Sequence, residues 1–327
     1  MKNLVEAFPI HMKEALQIGR DSERKSSNEH FRNIVISGLG GSGIGGTIVS
    51  QLIASQIDIP VVVNKTYGIP NLVNKHTLFV ASSYSGNTEE TLEALEKAQS
   101  KGATIACLTS GGKLLELAKE NGYNYIEMPG GFPPRAAFGY SSTLLFKLLE
   151  NYGCIEDQIL RDLATTPDFL QENSLDIKEK AYNLAKKLIG KTPVFYSDAR
   201  MEGVAVRYRQ QINENSKMLC WHNVLPEMNH NELVGWADSH EEVVPVFLRT
   251  KNDYYRTQER MEFSKKLMTI KNANCVEIMA DCESDIHAAY YLISIGDWAS
   301  VNIADIRGID VTEVDIITEL KTKLSNI

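Results

Sequence analysis

Residues 80–91, Val80-Ala81-Ser82-Ser83-Tyr84-Ser85-Gly86-Asn87-Thr88-Glu89-Glu90-Thr91, concentrate serine and threonine hydroxyls in one short stretch. An apolar run of strand type, Thr77-Leu78-Phe79-Val80, precedes it, and Leu92, Leu95 and Ala98 follow at helical spacing, so the hydroxyls occupy a strand-to-helix turn. Such a turn is suited to hold an anion. The first N–H groups of a helix lack intrahelical partners and lie at the positive end of its dipole, and Ser83, Ser85 and Thr88 add O–H donors to the same concavity. Gly86 and Asn87 are turn residues that tolerate positive φ. The competing reading is a capping box, with Thr88 or Ser85 as the cap and Glu89 and Glu90 in the first helical turn. A cap needs one hydroxyl, however, and this turn has several.

Further candidates for chemistry lie on both sides. The strand Asn33–Ser37 runs into Gly38-Leu39-Gly40-Gly41-Ser42-Gly43-Ile44-Gly45-Gly46, with a helix expected from Thr47. The first six residues fit Gly-x-Gly-x-x-Gly, but a dinucleotide site also needs a carboxylate at the end of the next strand, and Pro60–Val63 ends in Asn64-Lys65. No Walker lysine follows either. The glycines read better as room for a sugar against the backbone, with Ser42 as a donor. Pro134 shapes the entry to a helix in which Arg135 is an early residue, and the small, apolar Ala136-Ala137-Phe138 beside it argues that the guanidinium has an assigned partner. Glu214 sits near the end of a long helix starting at about Met201, and His230 lies in Asn229-His230-Asn231-Glu232. Each alone reads as a surface or capping residue. Together a carboxylate and an imidazole are the two groups an acid/base enzyme requires. Asp281-Cys282-Glu283-Ser284-Asp285-Ile286-His287 fits no common metal spacing and reads as the cap of a helix over 286–299, while Lys321 lies on an amphipathic helix near the end.

These residues need a scaffold. Strands expected at 33–37, 60–63, 77–80, 103–109 and 125–128 alternate with helices, which predicts a parallel sheet covered on both faces, with ligands at the carboxyl ends of its strands. The Gly38 and Ser82 turns both sit at such ends and are expected to converge on one crevice. A second strand-led unit, with strands at 192–197, 243–248 and 274–279, looks like a weaker copy without the glycine-rich or serine-rich turns. The expected organisation is an amino-terminal helical segment to residue 30, with one helix from Leu4 to about Arg20 and a polar loop over 21–29. A first domain over 31–150, a polar linker over 151–177 and a second domain over 178–327 follow. With 43% apolar and 23% charged residues the chain is a folded protein, and its net charge of −8, without a Lys/Arg tract, argues against nucleic acid or an anionic membrane as partner. No apolar run reaches the roughly 20 residues of a membrane span, and the amino end lacks a signal-peptide core, so a cytoplasmic protein is expected. The five cysteines lack a Cys-x-x-Cys pair and read as reduced, mostly buried side chains.

Ser83-Tyr84-Ser85-Gly86-Asn87-Thr88 after a strand resembles the phosphate-binding loop of the sugar isomerase (SIS) fold. With Gly40–Gly46, Pro134-Arg135-Ala136-Ala137, Asn213-Glu214-Asn215-Ser216-Lys217 and His230-Asn231-Glu232, in order along most of the chain, it is similar to the bifunctional phosphoglucose/phosphomannose isomerases of that superfamily. The resemblance implies an α/β fold of two SIS-type domains, each a mainly parallel sheet between helix layers. It implies a homodimer that interconverts glucose 6-phosphate or mannose 6-phosphate with fructose 6-phosphate, without metal or organic cofactor. By the same resemblance Ser83, Ser85 and Thr88 hold the phosphate, and Gly41 and Ser42 contact the sugar. Glu214 moves a proton between C1 and C2, Arg135 stabilises the cis-enediolate, His230 of the neighbouring subunit opens the ring, and Lys321 assists. Two alternatives remain at this point. One is a non-catalytic SIS-type sugar-phosphate sensor, which has no need of Glu214 and His230. The other, amidotransfer-linked isomerisation, lacks an amino-terminal nucleophilic cysteine here.

Overall fold

The computed structural model describes residues 1–22, 30–155, 157–271 and 273–324. The chain divides into two compact units, one of Glu6–Asn173 and Asp281–Tyr290, the other of Met1–Val5, Ser174–Ala280 and Tyr291–Ile327. The amino-terminal periodicity is realised as two helices, α1 (Lys2–Glu6) and α2 (Phe8–Asp21), rather than one from Leu4 to Arg20. Pro9 lies in the first turn of α2, where its missing N–H does no harm but where a continuous helix could not pass. Most of the polar loop expected over 21–29 lies outside the described residues.

The first unit is built on β1 (Asn33–Ser37), α3 (Gly40–Ile53), β2 (Val61–Asn64), β3 (Thr77–Ser83), α4 (Glu89–Ser100), β4 (Thr104–Thr109), α5 (Gly112–Asn121) and β5 (Asn124–Glu127). Every pairing is parallel and the strand order is β2-β1-β3-β4-β5. β1 and β3 are buried at every position, which is why both read as continuous apolar runs rather than as alternating ones. Val35, Phe79, Ala81, Ile105 and Cys107 join Leu95, Leu114 and Ala118 of the covering helices in one core cluster. Cys107 is buried and its thiol is pushed up to about 12 by desolvation, in keeping with an inert packing role. From β1 the chain goes to β2 on one side and then crosses to β3 on the other, so the order of the sheet reverses between β1 and β3. A crevice opens at such a point, outside the carboxyl ends of the strands.

Helices α6 (Phe138–Asn151) and α7 (Asp157–Glu172) complete the unit. The polar stretch expected as a linker, 151–177, is therefore largely helical: α7 buries Ile159, Leu163, Thr166, Pro167 and Leu170, so its polar composition belongs to an amphipathic surface helix.

The second unit holds α8 (Ser174–Leu188), β6 (Thr192–Asp198), α9 (Glu202–Ser216), β7 (Trp221–Leu225), α10 (Glu232–Gly235), β8 (Val243–Thr250), α11 (Tyr255–Ile270), β9 (Val276–Ala280), most of α12 (Asp285–Arg307) and α13 (Asp315–Leu324). Its sheet is parallel throughout, with order β7-β6-β8-β9, so each unit is an α/β arrangement of a parallel sheet flanked by helices. Strand β7 was not anticipated from the sequence. It is an edge strand whose Trp221-His222-Asn223-Val224 is only partly buried, so it shows neither an apolar run nor clean alternation. Helix α12 starts where expected, with Ser284 Oγ accepting the His287 N–H at 3.5 Å, and runs on to Arg307, beyond the expected end at residue 299. No helix among the described residues is long and apolar enough to cross a membrane.

His11 of α2 is buried against Tyr140, ring centroids 4.7 Å apart, and desolvation holds its pKa below the ordinary 6.5 despite the nearby Glu14 carboxylate. In the unfolded chain this histidine takes a proton near 6.5, whereas the folded site resists it. The associated stability is present above pH 6.5 and is lost as pH falls towards the lower folded value. Urea unfolding of the full chain between pH 7 and pH 5 is expected to show a shallower decline in midpoint for His11→Phe than for the parent. Identical slopes would refute the assignment.

Candidate active site

The two turns at the carboxyl edge of the first sheet come together. The Tyr84 N–H donates to Ser42 Oγ at 3.2 Å, joining the serine turn to the start of α3. A Cβ placed on Gly38 would lie 2.6 Å from the Ser82 carbonyl oxygen, and one on Gly43 2.5 Å from the Gly38 carbonyl oxygen, so main chain packs directly on main chain. The glycine stretch is not a loop leading to a helix at Thr47, as expected, but is itself the beginning of α3 from Gly40 onward. Its helical glycines allow close approach: a Cβ on Gly46 would stand 2.9 Å from Ile36 Cγ2 on β1. Asn64, where a dinucleotide site needs a carboxylate, spends its amide on Ser37 Oγ (3.2 Å), the Thr66 carbonyl (3.1 Å) and the Gly68 carbonyl (2.9 Å).

The serine turn does not use its hydroxyls as a capping box. Thr88 stands at the N-cap position of α4 without a side-chain cap, and its Oγ1 lies 2.8 Å from Ser83 Oγ instead. Ser83 Oγ also accepts the Gly86 N–H at 3.1 Å, and Ser85 Oγ the Asn87 N–H at 3.3 Å. Ser83 is buried, Thr88 half-buried and Ser85 exposed, so the donors step from the floor of the turn to its rim. Glu89, in the first turn of α4, accepts a hydrogen bond from Tyr67.

Arg135 is carried to the same edge, although its local structure differs from the one expected. Pro134–Ala136 form a single 3₁₀ turn ahead of α6, and Arg135 is buried there with 5% exposure. A Cβ on Gly41 would lie 3.0 Å from the Pro134 carbonyl oxygen and 3.7 Å from the Arg135 nitrogen, which sets this turn against the start of α3. Gly41, Ser42, Ser83, Ser85, Thr88 and Arg135 thus belong to one cluster of segments. Sequence reasoning passed over Ser110, whose N–H and Oγ donate to the Tyr84 carbonyl at 3.0 and 2.6 Å. Thr109-Ser110-Gly111-Gly112 at the end of β4 was the signal available.

The other three candidates belong to the second unit. Glu214 lies near the carboxyl end of α9 and is half-buried. The helix that bears it is bolted to α12 by polar groups on one stripe. Asp297 accepts from Arg207 (2.6 Å) and Gln211 (2.9 Å), Asn215 donates to Ser300 Oγ (2.9 Å), and Ser216 donates to the Ser300 carbonyl (2.8 Å). Burial pushes the Asp297 carboxyl up while Arg207 draws it down, and all three members of the Asp297 group are buried. Lys217 ends α9 in the left-handed region at φ 52°, and its Nζ donates to the Glu214 carbonyl at 2.7 Å.

His230 is exposed at the end of the 3₁₀ turn Glu227–His230. Two residues on, the Glu232 carboxylate accepts from Tyr196, from Asn223 Nδ2 at 2.6 Å and from Trp221 Nε1 at 3.4 Å, which fixes the short His-Asn-Glu segment to the sheet. Burial and then the Glu232 charge keep the Tyr196 phenol protonated, as a donor must be. Lys321 is exposed on α13, a helix that buries none of its described side chains.

A parallel-sheet unit with a hydroxyl-bearing helix start at its switch point is the arrangement of a SIS domain. The SIS domain model matches residues 29–124, and a model described as the bacterial phospho-glucose isomerase C-terminal SIS domain matches residues 177–324. The chain is 38% identical to a bifunctional phosphoglucose/phosphomannose isomerase of Caldicellulosiruptor bescii over 98% of this chain and 97% of that one. It is 30% identical to a D-glucosamine-6-phosphate 4-epimerase of Sulfolobus acidocaldarius, covering 100% of this chain and 99% of the relative. Among solved structures, the C-terminal domain of a glucosamine-fructose-6-phosphate aminotransferase from Francisella tularensis superposes with a TM-score of 0.78 over 95% of this chain and 97% of that one, at 15% identity, a likeness of fold alone. The chain belongs to the bifunctional phosphoglucose/phosphomannose isomerase family.

Gly86 makes the serine turn testable. Its φ is +70°, and a Cβ there would fall 1.8 Å from the Gly111 carbonyl oxygen, so Gly86→Ala meets both backbone strain and an immovable neighbour. Urea unfolding is expected to show a loss of at least about 1 kcal/mol. An unchanged midpoint would contradict the geometry.

Proposed function

We propose that this protein is an aldose–ketose isomerase of hexose 6-phosphates, interconverting glucose 6-phosphate and mannose 6-phosphate with fructose 6-phosphate. The observation that carries the reading is the start of α4, where Thr88 leaves the helix without a side-chain cap and pairs with Ser83, in the same short turn as the exposed Ser85, so that small hydroxyls suited to a phosphate dianion gather at the helix start. Family membership supports the reaction, and the close relative named as a bifunctional phosphoglucose/phosphomannose isomerase supports both hexoses.

In this reading Ser83, Ser85, Thr88 and the first N–H groups of α4 anchor the phosphate, while the sugar lies along Gly41 with Ser42 as donor. Glu214 removes the C2 proton of the open-chain aldose as negative charge develops on O1, the O2 hydroxyl proton passes to O1, and Glu214 returns its proton to C1 of the cis-enediolate, giving the ketose. Arg135 balances the negative charge that develops on the enediolate oxygens, in a buried setting where such a charge is worth more than in water. One base serves both hexoses, because the enediol has lost the C2 stereochemistry that separates glucose from mannose. His230, exposed in the single chain, acts from the partner subunit of a homodimer to open the ring, with Lys321 assisting. The reaction needs neither metal nor organic cofactor, since one base and one oxyanion partner suffice to move a proton next to a carbonyl. We place the enzyme in the cytoplasm, working between glycolysis and gluconeogenesis.

Glu214→Gln is expected to lower isomerisation of fructose 6-phosphate by at least ~10²-fold while phosphosugar binding, followed by calorimetry, persists. Product analysis of the parent should give both glucose and mannose 6-phosphates and no C4 epimer. Undiminished turnover in the variant would remove Glu214 from the mechanism, and a C4 epimer as sole product would replace the proposed reaction.

A further inference from the structure

We infer that Tyr84 is a positioning residue for Arg135, tying the phosphate turn to the segment that carries the enediolate-stabilising guanidinium. The inference rests on the isomerase reading above. Tyr84 sits inside the serine turn, yet its side chain is buried, with 8% exposure, and makes a different set of bonds. Its hydroxyl donates to the Pro129 carbonyl at 3.1 Å and accepts the Phe132 N–H at 3.0 Å. Those two bonds close a short bridge over Gly130 and Gly131, the latter at φ +88°, and Pro133-Pro134-Arg135 follows directly. Two consecutive glycines leave that stretch with more backbone freedom than any other residue pair would allow. The tyrosine hydroxyl bonds the main chain on either side of them.

The main chain of Tyr84 extends the connection. Its N–H reaches Ser42 Oγ at 3.2 Å on α3, and its carbonyl accepts both donors of Ser110 after β4. One residue therefore links the segments following β1, β4 and β5. Arg135 lies three residues beyond Phe132 on a single 3₁₀ turn, and Pro133 and Pro134 between them have fixed φ, so a shift of the Pro129–Phe132 bridge is passed to the backbone that carries Arg135. A misplacement of about 1 Å at a charge-stabilising group can lower turnover by about 10²-fold. Burial also holds the phenol above its ordinary pKa, which keeps its proton available to Pro129.

A buried tyrosine that only satisfies its own hydroxyl would give a different result from one that acts through Arg135, and a double-mutant cycle on the full chain separates the two. Tyr84→Phe keeps the ring and the backbone bonds. It is expected to lower kcat for fructose 6-phosphate roughly 10- to 100-fold with KM within about 3-fold, and to cause less than about 2-fold further loss in an Arg135→Ala background. Ser110→Ala, which removes the 2.6 Å bond to the Tyr84 carbonyl, should give a smaller fall with the same non-additivity, and it serves as the probe should Tyr84→Phe fold poorly. Equal losses in both backgrounds, a rise in KM at unchanged kcat, or a lower melting temperature at unchanged kcat would each overturn the inference. Failure of the parent to isomerise fructose 6-phosphate would instead sink the isomerase reading. In that event exchange of the Phe132 and Arg135 amides, the two N–H groups on either side of Pro133-Pro134, still decides the tether: faster exchange at both in Tyr84→Phe supports it, and unchanged exchange at Arg135 refutes it.

Discussion

The first unit depends on main chain meeting main chain at the carboxyl edge of its sheet. Gly38 lies on the Ser82 carbonyl, Gly43 on the Gly38 carbonyl, Gly86 on the Gly111 carbonyl and Gly112 on the Ser85 carbonyl, each so close that a Cβ would fall within 2.6 Å of oxygen. With no side chains between them, the starts of α3, α4 and α5 are brought to one edge of the sheet, where the first N–H groups of α5 are taken up by the serine turn, Lys113 on Asn87 Oδ1 at 3.1 Å and Leu114 on the Gly86 carbonyl at 2.9 Å. Backbone amides and small hydroxyls can then hold a dianion without an arginine cluster, because the donors are fixed in advance and their dipoles add. A chain of net charge −8 is compatible with an anionic ligand for this reason, since the local field at a helix start does not follow the overall charge.

The second unit repeats the parallel-sheet plan and puts it to another use. Its polar groups hold α9 and the His-Asn-Glu segment. Arg207, Gln211 and Asn215 recur at four-residue spacing, which lines them up on the face of α9 that meets α12. Breaking one partner of such a buried group leaves an unpaired charge or dipole, so the network holds α9 in one rotation against α12. Glu214, one position away from that stripe, inherits the rotation. Glu232 does the same for His230 through its bonds to Tyr196, Asn223 and Trp221. In both units the residues proposed for chemistry stand beside others that fix them and that carry no chemical signature of their own.

The first sheet was nearly complete in the sequence because its central strands are buried on both faces and read as unbroken Ile/Val/Leu/Phe runs. β7 was invisible for the opposite reason, being a half-exposed edge with His222 and Asn223 in its middle. The start of α3 was misplaced because glycine has poor helix propensity, and only the tight approach to β1 makes Gly41, Gly43, Gly45 and Gly46 acceptable in a helix. The break between α1 and α2 could have been read from Pro9, whereas apolar periodicity alone ran straight through it. Candidate site residues were recognisable where type and spacing imply chemistry, as with Ser83, Ser85 and Thr88. Tyr84 gave no such sign, and Ser110 gave only the Ser-Gly-Gly run after β4, since what they do lies in which distant backbone atoms they meet.

By itself the amino-acid order determined the alternation of strands and helices, the family, and a set of candidate residues whose types suit the proposed chemistry, because periodicity and short motifs are local properties of the chain. The tertiary structure decided which hydroxyls are spent on one another and which glycines are there for contact rather than for turning. It also decided that Arg135 is buried on a 3₁₀ turn against α3. Those outcomes turn on distances between segments tens of residues apart, and such distances exist only once the sheet has set its order.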